Sequence, residues 1–367
     1  MEVFPLESLT VAQAMALQFR LVDVMSQHFT GLESLSLGDL GVVSGYNQPT
    51  TTRKVEQVLA DFFGAEEAIL VRGSGTMALR LALHAMMRSG GKILVHEAPI
   101  YPTTESSFGM LKLELFLVDF NNLEAIKGAV KKHDFAGALI QVTRQQPTDR
   151  YDLAEVIATI RRAKADLPIL TDDNYAVMKT RAIGTQCGAN LSTFSTFKLL
   201  GPAGVGCVVG EAQFIQRIRQ ENYSGGLQVQ GFEAMEVLRG MVYAPVALAI
   251  SAQVVVEVRD RLLAGEVAGI KDAFVINAQS KVLMVELAQP IAPAVIDQAM
   301  LLGAAPHPVG AESRYEIVPM FYRPSSTFRS YHPEALSTMI RINPMRSGAD
   351  TILRILSQAI LNVRGGA

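Results

Sequence analysis

The chain has 367 residues, 49% apolar and 19% charged, and that length exceeds what one core usually fills, so two domains are expected. Its 33 Lys and Arg against 35 Asp and Glu give a formal net charge of -2, with the basic residues scattered. That balance offers no field for a nucleic acid or for an anionic membrane surface.

Residues 1 to about 40 alternate apolar and polar positions at helical spacing, and 1–45 is expected to be an N-terminal helical segment. GVVSGYNQPTTTRK (41–54) breaks that pattern. KVEQVLADFF then puts Val55, Val58, Leu59 and Phe62 on one helical face. AILV (68–71) is a short buried-type strand, followed by a glycine loop and the helical run MALRLALHAMM. Further strands are expected at KILVHE (92–97), LELFLVDF (113–120), FAGALIQV (135–142), LPILTDD (167–173) and GVGCVV (204–209). Helices intervene at 122–132 and at 153–165, the second capped by Asp152. The alternation predicts an α/β domain over 46–245, a mainly parallel sheet sandwiched by helices. Met241–Val256 carries no charge but is short of the roughly 20 residues of a membrane span, and Pro245, Ser251 and Gln253 interrupt it. It reads as a buried helix joining two domains. Residues 246–367, with VLMVELA, YEIVPMF and DTILRILSQAIL, read as a smaller C-terminal α+β domain.

Two cysteines, Cys187 and Cys207, supply neither a disulfide framework nor a zinc site, and the six histidines lack paired ligand spacing, so no metal is expected. The opening MEVFPLESLTVAQ has no basic stretch before an apolar run, so the expectation is a cytoplasmic protein.

The chemistry concentrates at the carboxyl ends of the predicted strands. Gly73-Ser74-Gly75-Thr76 links a strand to a helix, an arrangement that binds phosphate through helix N-terminal amides. The same letters fit G-x-G-x-x-A, and Glu97 lies near the place of a ribose-binding acid, so an NAD-dependent dehydrogenase is one reading. Three other features lie on the same rim: Lys198 in FSTFKLLG with no charged neighbour from Leu191 to Gly210, the carboxylates of TDDNYA (171–176), and Tyr101. A phosphate cradle, an amine, an acid and a flat ring together suit pyridoxal phosphate better than NAD. An apolar, charge-poor setting lowers the pKa of a lysine, as nucleophilic use requires. Arg72 and Arg53 are further cationic candidates for the phosphate.

These residues resemble, in order and wording, the fold-type I pyridoxal-phosphate enzymes of the aspartate aminotransferase superfamily, closest to its cysteine/methionine-metabolism and aminotransferase class V-like branches. SGT at 74–76 is similar to the superfamily's phosphate loop. DNYA at 173–176 is similar to the strand end that holds the ring nitrogen, which implies Asp173 in that role and leaves Asp172 as a cap. SxxK at 195–198 resembles the Schiff-base segment, which implies Lys198 as the anchor, with Ser195 and Thr196 reaching the phosphate. The resemblance further implies that Tyr101 stacks on the cofactor and that Arg341, in IRIN (340–343), holds a substrate α-carboxylate. It also implies a homodimer in which Tyr46, in GYNQPTTTRK, reaches the neighbouring subunit's phosphate. NQPT for Asn-Pro-Thr, Phe197 before the lysine and Pro202 in the glycine run depart from the pattern. The implied activity is an aminotransferase or a β- or γ-eliminating lyase acting on a small amino acid. A relative that binds the cofactor without turning over substrate is the remaining alternative.

Overall fold

The computed structural model describes residues 2–45, 47–277, 281–307, 312–325, 328–329 and 332–365. The chain divides into two compact units. The larger holds residues 13–143 and 150–245, and the smaller holds 1–12, 144–149 and 246–367. Residues 1–45 are therefore not a segment of their own, because they divide between the units at Ala12.

In the larger unit, helix α1 (Val11–His28) and the single turn α2 (Gly31–Ser34) precede α3 (Thr50–Phe63). The apolar face of α3 is buried as its spacing requires, with Val55, Val58 and Leu59 at 0% exposure. Gly64 ends it in the left-handed conformation, φ +67°, and its amide closes on Ala60 and Asp61. Then come β1 (Glu67–Arg72), α4 (Ser74–Met86), β2 (Lys92–His96), α5 (Pro102–Met110), β3 (Glu114–Val118), α6 (Leu123–Lys132) and β4 (Phe135–Gln141). They are followed by α7 (Leu153–Ala163), β5 (Ile169–Asp172), β6 (Leu191–Ser195), β7 (Val205–Gly210), α8 (Ala212–Glu221) and α9 (Gly231–Leu263). Asp152 caps α7 through the Glu155 amide, as its sequence position indicates.

The seven strands form one sheet in the order β1-β7-β6-β5-β4-β2-β3. Only β7 runs against its neighbours, pairing antiparallel with both β1 and β6. The carboxyl ends of β1, β2, β4, β5 and β6 therefore share one edge. Both faces are covered, and strand alternation shows it: Ile93 and Val95 pack into one core, with α4 and α8, while Leu94 packs into the other, with α6 and α7. Strand β6 went unread in the sequence because LSTFS is rich in hydroxyls, yet all five residues are buried.

In the smaller unit a four-stranded antiparallel sheet, in the order β10-β11-β9-β8, is built from β8 (Ile270–Asn277), β9 (Lys281–Leu287), β10 (Met320–Tyr322) and β11 (Met339–Asn343). Helices α10 (Ala292–Leu301) and α12 (Ala349–Gly365) join its main core, and the short turn α11 (Ala335–Thr338) lies on the other face, where Phe274, Ile276 and Met284 cluster. Of YEIVPMF only the last two residues enter a strand. Helix α9 is long and apolar enough to cross a bilayer by length and composition. Leu238, Met241, Ala244, Val255 and Val258 along it are nonetheless buried in protein, and the boundary between the units falls between Pro245 and Val246.

Candidate active site

The site grows from the strand ends of the larger unit. After β1 the chain takes two left-handed residues in succession, Gly73 (φ +98°) and Ser74 (φ +61°), and enters α4. The Gly73 and Ser74 amides donate to Gly204 O at 2.8 and 3.0 Å, which pins the loop to the turn before β7. Close approach is possible because β7 has Gly206: a Cβ there would lie 2.2 Å from Ser74 O. Gly75 and Thr76 belong to the first turn of α4, whose amides an α-helix leaves without an internal acceptor. Ser74 Oγ lies 2.6 Å from Ser195 Oγ at the end of β6, so two hydroxyls and a helix N-terminus meet. Thr76 Oγ1 contacts Thr103 Oγ1 at 3.4 Å at the start of α5.

Beyond Ser195 the chain makes one 3-10 turn, Thr196–Leu199, which carries Lys198, and Leu200 (φ +62°) reverses it. Gly201 and Gly240 on α9 permit this reversal, since a Cβ on Gly240 would sit 2.5 Å from the backbone of Leu200 and Gly201. Lys198 Nζ donates to Asn174 Oδ1 at 3.3 Å and lies 3.8 Å from the centroid of the Tyr175 ring. Asn174 Oδ1 also accepts from the Ser195 amide at 3.0 Å, so one side chain ties the lysine to the cradle.

The two carboxylates of TDDNYA part company, because successive strand residues point to opposite faces. Asp172 Oδ1 accepts from the Asn174 amide and side chain at 3.1 and 2.7 Å. Burial raises its pKa, and the charge of Lys198 opposes that rise. Asp173 turns the other way. It accepts from Thr171 Oγ1 at 2.5 Å and from the Gly184 amide at 2.9 Å, and no part of it is exposed. Burial pushes its carboxyl up to about 6 against the lowering pull of those hydrogen bonds. Asp172 is the carboxylate on the Lys198 side, and it caps Asn174 as well, while Asp173 is engaged by Thr171 and Gly184.

Other candidates sort by the same test. Thr196 is fully buried and donates its hydroxyl proton to Val205 O at 2.9 Å, which holds the turn. Arg72 forms a fork with Glu233 at 2.9 and 2.6 Å, and Arg53 lies 3.5 Å from Glu67 and 3.8 Å from Glu56, so both are structural cations. Tyr101 sits at the N-cap of α5, past β2 on the same rim, and is 58% exposed. Tyr46 lies outside the described residues. In the smaller unit Arg341 is buried on β11, with its guanidinium 3.9 Å from the ring centroid of Tyr322, its cross-strand partner on β10. Burial pushes the Tyr322 phenol up to about 12. Sequence reasoning missed Tyr175 as a site residue. The signal was its place three residues after Asp172 at a strand end.

The dinucleotide alternative meets the wrong sheet. Such sheets cradle pyrophosphate beside a central first strand at a switch point, whereas β1 is an edge strand paired antiparallel.

A family model for aminotransferase class-V matches residues 43–238, and one for the YhfS-like C-terminal domain matches 256–356. The protein YhfS of Escherichia coli is 54% identical over 363 residues, covering 99% of this chain and all of that one. Its crystal structure, described as that of a pyridoxal-5'-phosphate dependent protein, superposes with a TM-score of 0.97 over the same shares. CalE6, a methionine gamma lyase from Micromonospora echinospora, shares the fold at 17% identity and a TM-score of 0.73, over 94% of this chain and 98% of its own. With the family model spanning more than half its length, the chain belongs to the aminotransferase class-V family, within the fold-type I superfamily of pyridoxal-phosphate-dependent enzymes.

Proposed function

We propose that this protein is a pyridoxal-phosphate-dependent enzyme whose Lys198 amine carries the cofactor and works on the α-carbon of a small amino acid, as an aminotransferase or as a β- or γ-eliminating lyase. The observation that carries the reading is one rim holding an anion cradle, a lysine and a buried carboxylate, joined through Asn174. The residues fit the cofactor. Ser74 and Ser195 offer hydroxyls, and the Gly75 and Thr76 amides offer the positive end of α4, for a phosphate dianion. The absence of a side chain on Gly75 keeps the cradle open against Asn174, whose amide would lie 2.8 Å from a Cβ.

Bound there, pyridoxal phosphate supplies a carbon that condenses with amines and a ring that withdraws electrons from the substrate's α-carbon. Asp172 would keep a proton on the ring nitrogen, since a buried carboxylate needs a cationic neighbour. Lys198 would hold the cofactor through Nζ, and the same amine, when free, would take the α-proton. Tyr101 would cover a ring face.

The site is completed in a homodimer. Leu32, Leu35, Leu37 and Leu40 are between 73 and 82% exposed. They adjoin Phe232, because Gly38 packs on the Gly231–Phe232 backbone. Large apolar side chains left this exposed are the mark of an interface, and Tyr46 follows six residues after Leu40 in sequence. Incubation with a panel of amino acids tests the reaction: stoichiometric conversion to a 2-oxo acid without ammonia means transamination, and ammonia with the expelled β or γ substituent and a 2-oxo acid lacking it means elimination. No spectral change with any amino acid would contradict the reading.

A further inference from the structure

Asn174 stands just past the end of β5, and both its backbone and its side chain are engaged. Its side-chain amide donates from Nδ2 to Asp172 Oδ1 at 2.7 Å, while its Oδ1 accepts from the Ser195 amide at 3.0 Å and from Lys198 Nζ at 3.3 Å. Its backbone N–H donates to Asp172 Oδ1 at 3.1 Å, and its carbonyl accepts from Thr143 Oγ1 at 2.9 Å. That pattern permits one orientation of the amide. Turned over, its NH2 group would meet the Ser195 N–H and the Lys198 amine, and its oxygen would meet a carboxylate. Steric contact adds to the lock, since α4 begins so close that a Cβ on Gly75 would lie 2.8 Å from Nδ2 and 2.9 Å from Oδ1. The Asn174 oxygen is therefore a fixed acceptor, held by the ends of β5 and β6 and by the first turn of α4.

We propose that Asn174 is a positioning residue for Lys198: its locked oxygen aims Nζ at the cradle of Ser74, Ser195 and the start of α4, so that the amine is already in place when the cofactor's phosphate seats. A lysine is long and flexible, and ordering it carries one of the larger rotamer costs of any side chain. Lys198 also lies on the Tyr175 ring, 3.8 Å from its centroid. An aromatic face attracts a cation over a broad area, whereas a carbonyl oxygen directs an N–H along a line. Capture joins the neutral Nζ amine to the aldehyde carbon as C=N and expels the aldehyde oxygen with the amine's two protons as water. Its rate depends on where the nitrogen points. The hold on the phosphate belongs to the cradle and does not depend on the Asn174 oxygen.

The inference rests on Lys198 as the amine that carries the cofactor, and its test separates capture from seating. The full-length chain is freed of cofactor with hydroxylamine, and growth of the visible band on adding pyridoxal phosphate gives the rate constant of capture. It is taken at the maximum of its pH profile, so that a change in the amine's protonation does not enter. An analogue with ring and phosphate but no aldehyde, 4'-deoxypyridoxine phosphate, reads seating alone by calorimetry. Asn174→Ala captures at least about tenfold more slowly, the order of a lysine's rotamer freedom, and binds the analogue within about twofold of the parent chain. Asn174→Ser, whose shorter side chain falls short of Lys198, behaves alike and stands in if the alanine variant does not fold. Asn174→Asp keeps an oxygen for Lys198 and for the Ser195 amide, and captures within about threefold of the parent. An unmoved capture rate in the Ala and Ser variants, a loss of analogue binding equal to the loss of capture, or an Asp variant as slow as Ala overturns the proposal. A failure of the cofactor reading is distinguishable, because the parent chain itself then forms no visible band and no borohydride-trapped adduct on Lys198, and the proposal falls with it.

Discussion

Asp172 and Asp173 are adjacent, both carboxylates and both buried, yet they have different surroundings, and substitution by asparagine separates them. Asp173 has its folded-state pKa raised from 3.8 to about 6, chiefly by burial. The sign follows from linkage. A carboxyl raised on folding gives its full stabilisation below pH 3.8, and that contribution is lost as pH rises through about 6. A shift of about two units corresponds to about 3 kcal/mol at neutral pH. Asparagine keeps an oxygen for the Gly184 amide and has no proton to lose. Asp173→Asn is therefore more stable than the parent chain by about 1 kcal/mol near pH 4.5 and by about 3 kcal/mol near pH 7.5. Guanidinium unfolding followed by circular dichroism, which suits a chain with no tryptophan, reads the widening gap. Asp172→Asn, by contrast, keeps the Asn174 turn but removes the charge beside Lys198, and turnover falls by a hundredfold or more, on the order of a lost proton-holding group. A gap between Asp173→Asn and parent that stays constant with pH, or loss of turnover in Asp173→Asn equal to that in Asp172→Asn, would refute the division of labour.

Two further predictions concern the cradle and the assembly. Gly206→Ala puts a Cβ 2.2 Å from Ser74 O, a backbone atom with no rotamer to escape into; it costs about 1–3 kcal/mol of stability and weakens cofactor binding at least about tenfold by displacing the loop, read by absorbance titration with pyridoxal phosphate. Leu37→Asp with Leu40→Asp places two charges on the exposed apolar face, and sedimentation equilibrium then finds the 39.8 kDa chain alone where the parent sediments as twice that mass.

Much of the fold was legible because strands covered on both faces carry unbroken apolar runs, as AILV in β1 and the parallel-paired KILV and FAGALI do. Strand β6 was not, since its serines and threonines read as polar although they are satisfied inside: Thr193 Oγ1 donates to Thr171 O, and Ser192 Oγ meets Thr171 Oγ1. The site was legible as chemistry and less so as geometry. Ser74, Ser195 and Lys198 announce themselves by residue type beside glycines, and the structure brings them onto one rim. The Asp172–Asp173 choice turned on where β5 ends, and a slip of one residue reverses every side chain. Arg72, Arg53 and Thr196 looked available because a sequence does not show Glu233, Glu67 or the Val205 carbonyl folding back onto them.

The most direct test of the central claim is borohydride reduction of the purified protein, followed by peptide mapping with absorbance and mass detection. The account predicts a visible absorption band that disappears on reduction, and a single pyridoxyl-modified peptide with the modification on Lys198. A protein that stays colourless with added pyridoxal phosphate, or one whose adduct maps to another lysine, would contradict it.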